Sequence, residues 1–184
     1  CYFPPLLGNG TLSAALDSRG LHRPVREGAS ACGPAVWWSG RRFGFPFQRP
    51  LIPFGTIRET VTGDGGVPLA PAQEQQRLDP RRAVMTGRCR YDDGTVEDTE
   101  ARIHHDAAAL LLRKEFSAPV TLHWTLSLET TPKRPAPAVP MVQSVSPRPG
   151  GLNARYAVSG QRDYAGELRL WADVPAEADR SGDT

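Results

Sequence analysis

Val120-Thr121-Leu122-His123-Trp124-Thr125-Leu126-Ser127-Leu128 alternates apolar and polar side chains without a fault over nine positions. Successive side chains of an extended strand point to opposite faces. A period of two therefore sets one series against a core and leaves the other to solvent or a partner. The stretch predicts a strand with Leu122, Trp124 and Leu126 in an inter-sheet core. Upstream, residues 83–91 and 95–104 flank Asp92-Asp93-Gly94, and Asp-Gly between two extended runs is a strong hairpin signal. Residues 107–114 follow as another strand around Leu110-Leu111-Leu112, which gives an antiparallel meander. Further strands are expected at residues 10–18, 54–61, 152–158 and 166–174. No segment of useful length has a helical period, so the expected fold is all-β and antiparallel.

Composition agrees. Glycine and proline number 18 each in 184 residues, an excess that suits many strands joined by many turns. Two connections stand apart. Residues 19–53 are rich in Gly, Pro, Arg and aromatics without a sustained period, a long irregular stretch of a kind that is usually functional or packed on something. Residues 132–140, Pro-Lys-Arg-Pro-Ala-Pro-Ala-Val-Pro, read as a stiff connector. Residues 1–174 are expected to form one domain, and residues 175–184 a frayed tail or linker.

The formal net charge is +2, from 22 basic and 20 acidic residues. So small a net charge points to neither a nucleic-acid nor a membrane-surface partner, and no stretch reaches the roughly 20 apolar residues of a membrane-spanning helix. Cys1, Cys32 and Cys89 form no CxxC pair and show no metal-ligand spacing, so free thiols and no metal or other cofactor are expected. Strand-like sequence from the first ten residues suggests a segment of a longer chain. Cys1 as a lipidated first residue is the competing reading, although no polar tether follows it.

Each candidate constellation has a plain structural explanation. His104-His105-Asp106 suggests a metal or an acid–base pair, but neighbours on a strand face opposite ways and cannot chelate one ion. These residues read as a strand end and turn. His123 lies on the polar side of the cleanest strand. Asp92-Asp93 is accounted for by its turn, and Glu97, Asp98 and Glu100 by a solvated strand. Gly8-Asn9-Gly10 and Gly63-Asp64-Gly65-Gly66 are turns, because no helix follows to offer its N-terminus to a phosphate. No placed pair of catalytic carboxylates is visible. The richest segment is Val36-Trp37-Trp38-Ser39-Gly40-Arg41-Arg42-Phe43. Indole faces and guanidinium forks suit sugar rings and their hydroxyls or carboxylates, and equally suit packing of a long loop on a sheet. Trp37, Trp38, Arg41 and Arg42 are the candidate carbohydrate or domain contacts.

Four segments, in order, carry a resemblance. Leu6-Leu7-Gly8-Asn9-Gly10-Thr11-Leu12-Ser13-Ala14 resembles the opening "PxGNGxLGA" of bacterial glycoside hydrolases and phosphorylases with an (α/α)6 barrel, the family 95 α-L-fucosidases and family 65 phosphorylases among them. Trp37-Trp38-Ser39-Gly40-Arg41 is similar to the fucosidase-type "LWSG". Leu51-Ile52-Pro53-Phe54-Gly55-Thr56-Ile57 is similar to the "xxPLGDLxL" strand. Residues 76–84 with 91–100 resemble the hairpin that follows. Ser13 and Phe54 depart from the common Gly and Leu, and the spacing from Trp38 to Phe54 is short. The resemblance implies a two-sheet antiparallel β-supersandwich that serves as the non-catalytic N-terminal domain of such an enzyme. Its expected partner is the C-terminal (α/α)6 catalytic barrel of the same polypeptide, with carbohydrate near Trp37–Arg42. The catalytic carboxylates of these enzymes lie in the barrel, so no catalytic residue is carried over. A self-contained carbohydrate-binding sandwich is the alternative. The buttressing role also implies an apolar patch, drawn from residues 19–53 and the outer face of one sheet.

Overall fold

The computed structural model describes residues 6–9, 12–21, 35–38, 52–53, 56–107, 109–127, 140–148, 151–158 and 165–169. Among them are thirteen strands and no helix. In chain order these are β1 (Leu6–Gly8), β2 (Leu12–Ala15), β3 (Ala35–Trp38), β4 (Ile52–Pro53), β5 (Thr56–Thr62), β6 (Pro71–Asp79), β7 (Val84–Tyr91), β8 (Val96–Ile103), β9 (Leu110–Phe116), β10 (Thr121–Ser127), β11 (Pro140–Arg148), β12 (Gly151–Val158) and β13 (Ala165–Arg169). They form sheets ordered β1-β2-β3-β4, β10-β5, β6-β7-β8-β9 and β11-β12-β13. Every pairing is antiparallel. The protein is all-β.

The chain divides into two compact units, Cys1–Ser127 and Leu128–Thr184. The second holds the meander β11-β12-β13, with a register shift between Val142 and Ser144. The first holds the other three sheets.

The predicted hairpin is β7–β8. Gly94 takes φ +90° in its turn, its N–H donating to the Tyr91 carbonyl at 3.1 Å, and the Asp93 carboxylate accepts from the Thr95 N–H at 2.8 Å. The meander continues into β9 as expected. Gly65 and Gly66 also adopt positive φ, in the turn after β5. Five strands lie outside those expected: β1, β3, β4, β6 and β11. β6 reads Pro-Ala-Gln-Glu-Gln-Gln-Arg-Leu-Asp and is exposed along almost its whole length, so it has no apolar series to alternate. β11 falls outside the expected strands, and β3 lies inside the segment expected to be irregular.

The clean alternation on β10 meets a different outcome at its centre. Leu122 is half-buried and packs against Val61, Cys89 and Tyr91. Trp124, expected in the core, is 37% exposed. The reason is local: among the described strands β10 pairs only with β5, and Trp124 stands directly opposite Glu59, a polar neighbour that draws the indole N–H and leaves ring surface outside. The side chain of Leu126 lies outside the described residues.

The first unit is organised around one face of the β6–β9 sheet. Direct cross-strand partners share a face, so the registers place Met85, Gly87, Cys89 and Tyr91 of β7 beside Ala101, Thr99 and Glu97 of β8, and these beside Leu112, Lys114 and Phe116 of β9. At one end, Leu7, Leu12, Ala14 and Leu16 close with Met85 and Ala101 into an apolar cluster. At the other, Val61 joins Cys89 and Tyr91. Between them the turn Asp17–Leu21 presses directly on the sheet. A Cβ at Gly87 would fall 1.6 Å from the Ser18 carbonyl oxygen, and one at Gly20 2.7 Å from Leu112 Cδ2. The missing side chain at Gly87 is what lets the two backbones meet.

Candidate functional site

The turn is built to deliver one side chain. The Asp17 carboxylate accepts from the Arg19 N–H at 2.9 Å and the Leu21 N–H at 3.0 Å, an Asx-type closure, and Gly20 supplies the left-handed φ of +73°. Arg19 thereby projects over the sheet, its guanidinium 5.7 Å from the centre of the Tyr91 ring.

There it meets two carboxylates that no solvent reaches. Glu59 of β5 and Glu97 of β8 have fully buried side chains. Arg19 Nη2 donates to Glu59 at 2.5 Å and Arg19 Nε to Glu97 at 3.4 Å. Lys114 of β9 donates to Glu59 at 3.0 Å and also to Glu97. Two cations and two anions thus alternate in a closed, charge-balanced ring. Further donors fill the remaining lone pairs. Tyr91 O–H donates to Glu97 at 2.5 Å, Thr99 O–H to Glu97 at 2.9 Å, and the Trp124 indole N–H to Glu59 at 2.5 Å.

The electrostatics follow from this wiring. Burial opposes the charge on Glu97, but the charge and hydrogen bond of Lys114, the Tyr91 hydroxyl and Arg19 outweigh it and hold the carboxyl below its ordinary range. Burial likewise works against Arg19, yet Glu59, Tyr91 and Glu97 secure its proton further. The Tyr91 hydroxyl is pushed up by burial, then by its bond to Glu97 and that group's charge. Burial and the Glu97 charge push the Cys89 thiol up to about 11. These four groups are each held in one protonation state: Glu97 as carboxylate, Arg19 as guanidinium, Tyr91 as neutral phenol and Cys89 as neutral thiol. The ring can join three strand systems rigidly. It offers no idle base or nucleophile.

The reading of Glu97 as a solvated strand residue is therefore corrected. Val96 is the apolar neighbour that alternation would turn inward, but the pairing of Cys89 with Glu97 puts the carboxylate inside. Asp98 and Glu100 do lie on the outer face. A signal for the inversion exists: Met85, Gly87, Cys89 and Tyr91 alternate with Thr86, Arg88 and Arg90. Counting across the Asp92-Asp93-Gly94 turn carries their face to Glu97.

The other candidates are dispersed. Trp37 and Trp38 sit in β3, opposite Ser13 and Leu12; their side chains, and all of Arg41 and Arg42, lie outside the described residues. His104 and His105 occupy an exposed turn after β8, their rings stacked at 5.0 Å. His104 Nδ1 accepts from the backbone of Asp106 and Ala107 at 3.2 Å, and His105 pairs with Asp106 at 2.6 Å. Asn9 explains this turn: its amide donates to the carbonyls of His104 and Ala107 at 2.7 and 2.9 Å, tying the end of β1 to it. His123 is exposed on β10. Among the described residues no group of three or more His, Cys, Asp or Glu is placed to hold a metal ion, and Cys89 is a free, buried thiol. Cys1 and Cys32 lie outside the described residues.

Compared with protein-family models, with curated proteins and with solved structures, the chain matches none.

Proposed function

We propose that the chain is a non-catalytic β-sandwich module of a multidomain bacterial glycoside hydrolase. It buttresses an (α/α)6 catalytic barrel of the same polypeptide, with Trp37, Trp38, Arg41 and Arg42 at the edge of a sugar site. The ordered resemblance of the four segments suggests the setting. The observation that carries the non-catalytic role is the saturation of Glu59 and Glu97 by Arg19, Lys114, Tyr91, Thr99 and Trp124. Carboxylates committed to internal donors hold sheets together; a glycosidase pair must instead face a substrate and a water. The purified chain is expected to release nothing from aryl glycosides or disaccharides above a buffer blank. Turnover that disappears in Glu59→Gln or Glu97→Gln would overturn the reading. The reading frame past Thr184 is expected to encode the barrel, and a stop codon there would remove the buttressing role.

A second reading, a self-contained carbohydrate-binding module, is favoured by one feature. The outer face of the β6–β9 sheet is mostly polar and rich in arginine, whereas buttressing implies an apolar docking face on one sheet.

A further inference from the structure

The positive charge of this chain is not spread evenly. Residues 71–91, the β6–β7 hairpin, hold five arginines against Glu74 and Asp79, a net +3; the whole chain is +2, so the rest sums to −1. All five arginines, Arg77, Arg81, Arg82, Arg88 and Arg90, are exposed. The register decides which of them act together. Gln73 pairs with Arg90, Gln75 with Arg88 and Arg77 with Thr86, so these six side chains share the outer face. Residues two apart on a strand lie about 6.8 Å apart and neighbouring strands about 4.8 Å apart. Arg77, Arg88 and Arg90 thus form a flat basic strip interleaved with Gln73, Gln75 and Thr86. Glu74 does not oppose it, because its pairing with Cys89 assigns it to the other face. Asp79 is engaged by the hairpin backbone, accepting from the N–H groups of Arg81 and Arg82.

Apart from Asp79, the acidic side chains on this outer face are on β8 and β9. Asp98 reaches Arg88 at 3.4 Å with both side chains more than half exposed. Glu100 and Glu115 are paired with Arg102 and Arg113. An exposed pair of the Arg88–Asp98 kind contributes only about 0–1 kcal/mol and yields to a competing anion.

We propose that this strip is a docking surface for an acidic polysaccharide, a polymer of uronic acids. Each guanidinium presents a planar fork that matches a carboxylate with two parallel hydrogen bonds, while the Gln73, Gln75 and Thr86 side chains suit sugar hydroxyls. The surface disfavours nucleic acid, because it carries no exposed aromatic ring between its arginines on which bases could stack. The choice of a saccharide polymer rests on the carbohydrate reading above; the basic strip does not.

The test is binding of the purified chain to polygalacturonate, measured by calorimetry beside its fully methyl-esterified form, a neutral galactan and single-stranded DNA. Polygalacturonate is expected to bind, with affinity falling about tenfold or more between roughly 50 and 200 mM salt as counterions are released. The esterified and neutral polymers are expected not to bind. Arg77→Gln/Arg88→Gln/Arg90→Gln should weaken binding at least about tenfold with an unchanged melting temperature. The control Arg58→Gln, which removes an exposed charge from the separate β10–β5 sheet, should change it little. Equal loss in both variants would show undirected charge attraction and overturn the strip. Equal binding of the neutral galactan would overturn it too, while leaving the carbohydrate reading in place. Preference for DNA with no saccharide bound would end both.

Discussion

One face of the β6–β9 sheet is closed in two ways. At the end lined by Met85 and Ala101 it is sealed by Leu7, Leu12, Ala14 and Leu16, all at most 4% exposed. A few residues along the same strands, at Glu97 and Lys114, it is sealed by ions. Apolar closure is stabilised by area removed from water, about 25 cal/mol per Å², and is indifferent to direction. Ionic closure begins with a desolvation cost that its mutual attraction only offsets, so its net stability is small while its tolerance for misplacement is smaller still. The difference assigns separate tasks. The apolar end supplies stability. The ring fixes how the Arg19 turn and β5 sit over the sheet, because a shifted arrangement would leave a buried charge alone. Between the two lies Gly87, where backbone touches backbone, and the sharpest way to break the comparison is there. Gly87→Ala drives a methyl group into the Ser18 carbonyl, which cannot swing aside as a side-chain tip would. A loss of about 4–5 kcal/mol or outright failure to fold is expected. A drop under about 1 kcal/mol in urea unfolding would show that the turn is not seated on the sheet.

Next in size is a contrast between the ends. Glu97→Leu strands Lys114 and Arg19 with half their acceptors and should cost about 3–5 kcal/mol. Adding Lys114→Met is expected to recover about 2 kcal/mol, because removing both partners removes the unpaired charge. Leu16→Ala should cost about 2–5 kcal/mol at the apolar end, with no second substitution nearby able to restore it in this way. If the double variant is less stable than Glu97→Leu alone, the ring contributes net stability and the division of labour is wrong.

The ends should also separate with pH. Glu97 has a lowered folded pKa, so its contribution is fully present above the unfolded value near ~4.3 and is lost as pH falls through the folded value. The Tyr91 and Cys89 pKa values are raised, so their contributions hold below the unfolded values and fade above them, beginning near 9.0 for the thiol. Denaturant midpoints should plateau between about pH 5 and pH 8.5 and fall on both sides. Glu97→Gln should flatten the acid limb, whereas Leu16→Ala should lower the whole profile without changing its shape. An acid limb of the same slope in Glu97→Gln would place the titrating group elsewhere.

The sequence makes some of this legible and hides the rest for identifiable reasons. Period two finds β10, Asp-Asp-Gly between two extended runs locates β7 and β8, and the apolar run Leu110-Leu111-Leu112 marks β9. The same rule misses β6, whose Gln-Glu-Gln-Gln is held by its ladder to β7 and by the Gln76 amide donating to the Leu16 carbonyl. It also misjudges Glu97 and Trp124. Glu97 carries no mark of burial in itself; its surroundings come from residues 19, 59 and 114, distant in sequence and joined only by folding. Trp124 has the pattern of a core residue, but among the described strands β10 has only β5 beside it to complete a wall. The ring is therefore visible in part, through register counting from Tyr91, and its partners are not.

The smallest expected effect returns to the hairpin that bears the basic strip. Ala83 has φ +50°, the only positive value at a non-glycine among the described residues, at the end of the turn capped by Asp79. A Cβ in this left-handed region costs about 1 kcal/mol or more, which glycine would relieve. Glycine also raises the freedom of the unfolded chain, worth about 0.5–1 kcal/mol in the opposite direction. The balance for Ala83→Gly is a gain of about 0.5 kcal/mol, read as a rise of roughly 2 °C in melting temperature. Gly94→Ala, at φ +90° with open space for 4 Å around the position a methyl group would take, should show the converse loss of about 1 kcal/mol from backbone conformation alone. Gly87→Ala, whose φ is ordinary, loses far more through collision. Three glycine–alanine exchanges on one sheet would thus differ in sign and size for separate reasons. Destabilisation by Ala83→Gly would mean that the hairpin's turn is not left-handed at residue 83, and that Arg81 and Arg82 are presented differently from the arrangement described.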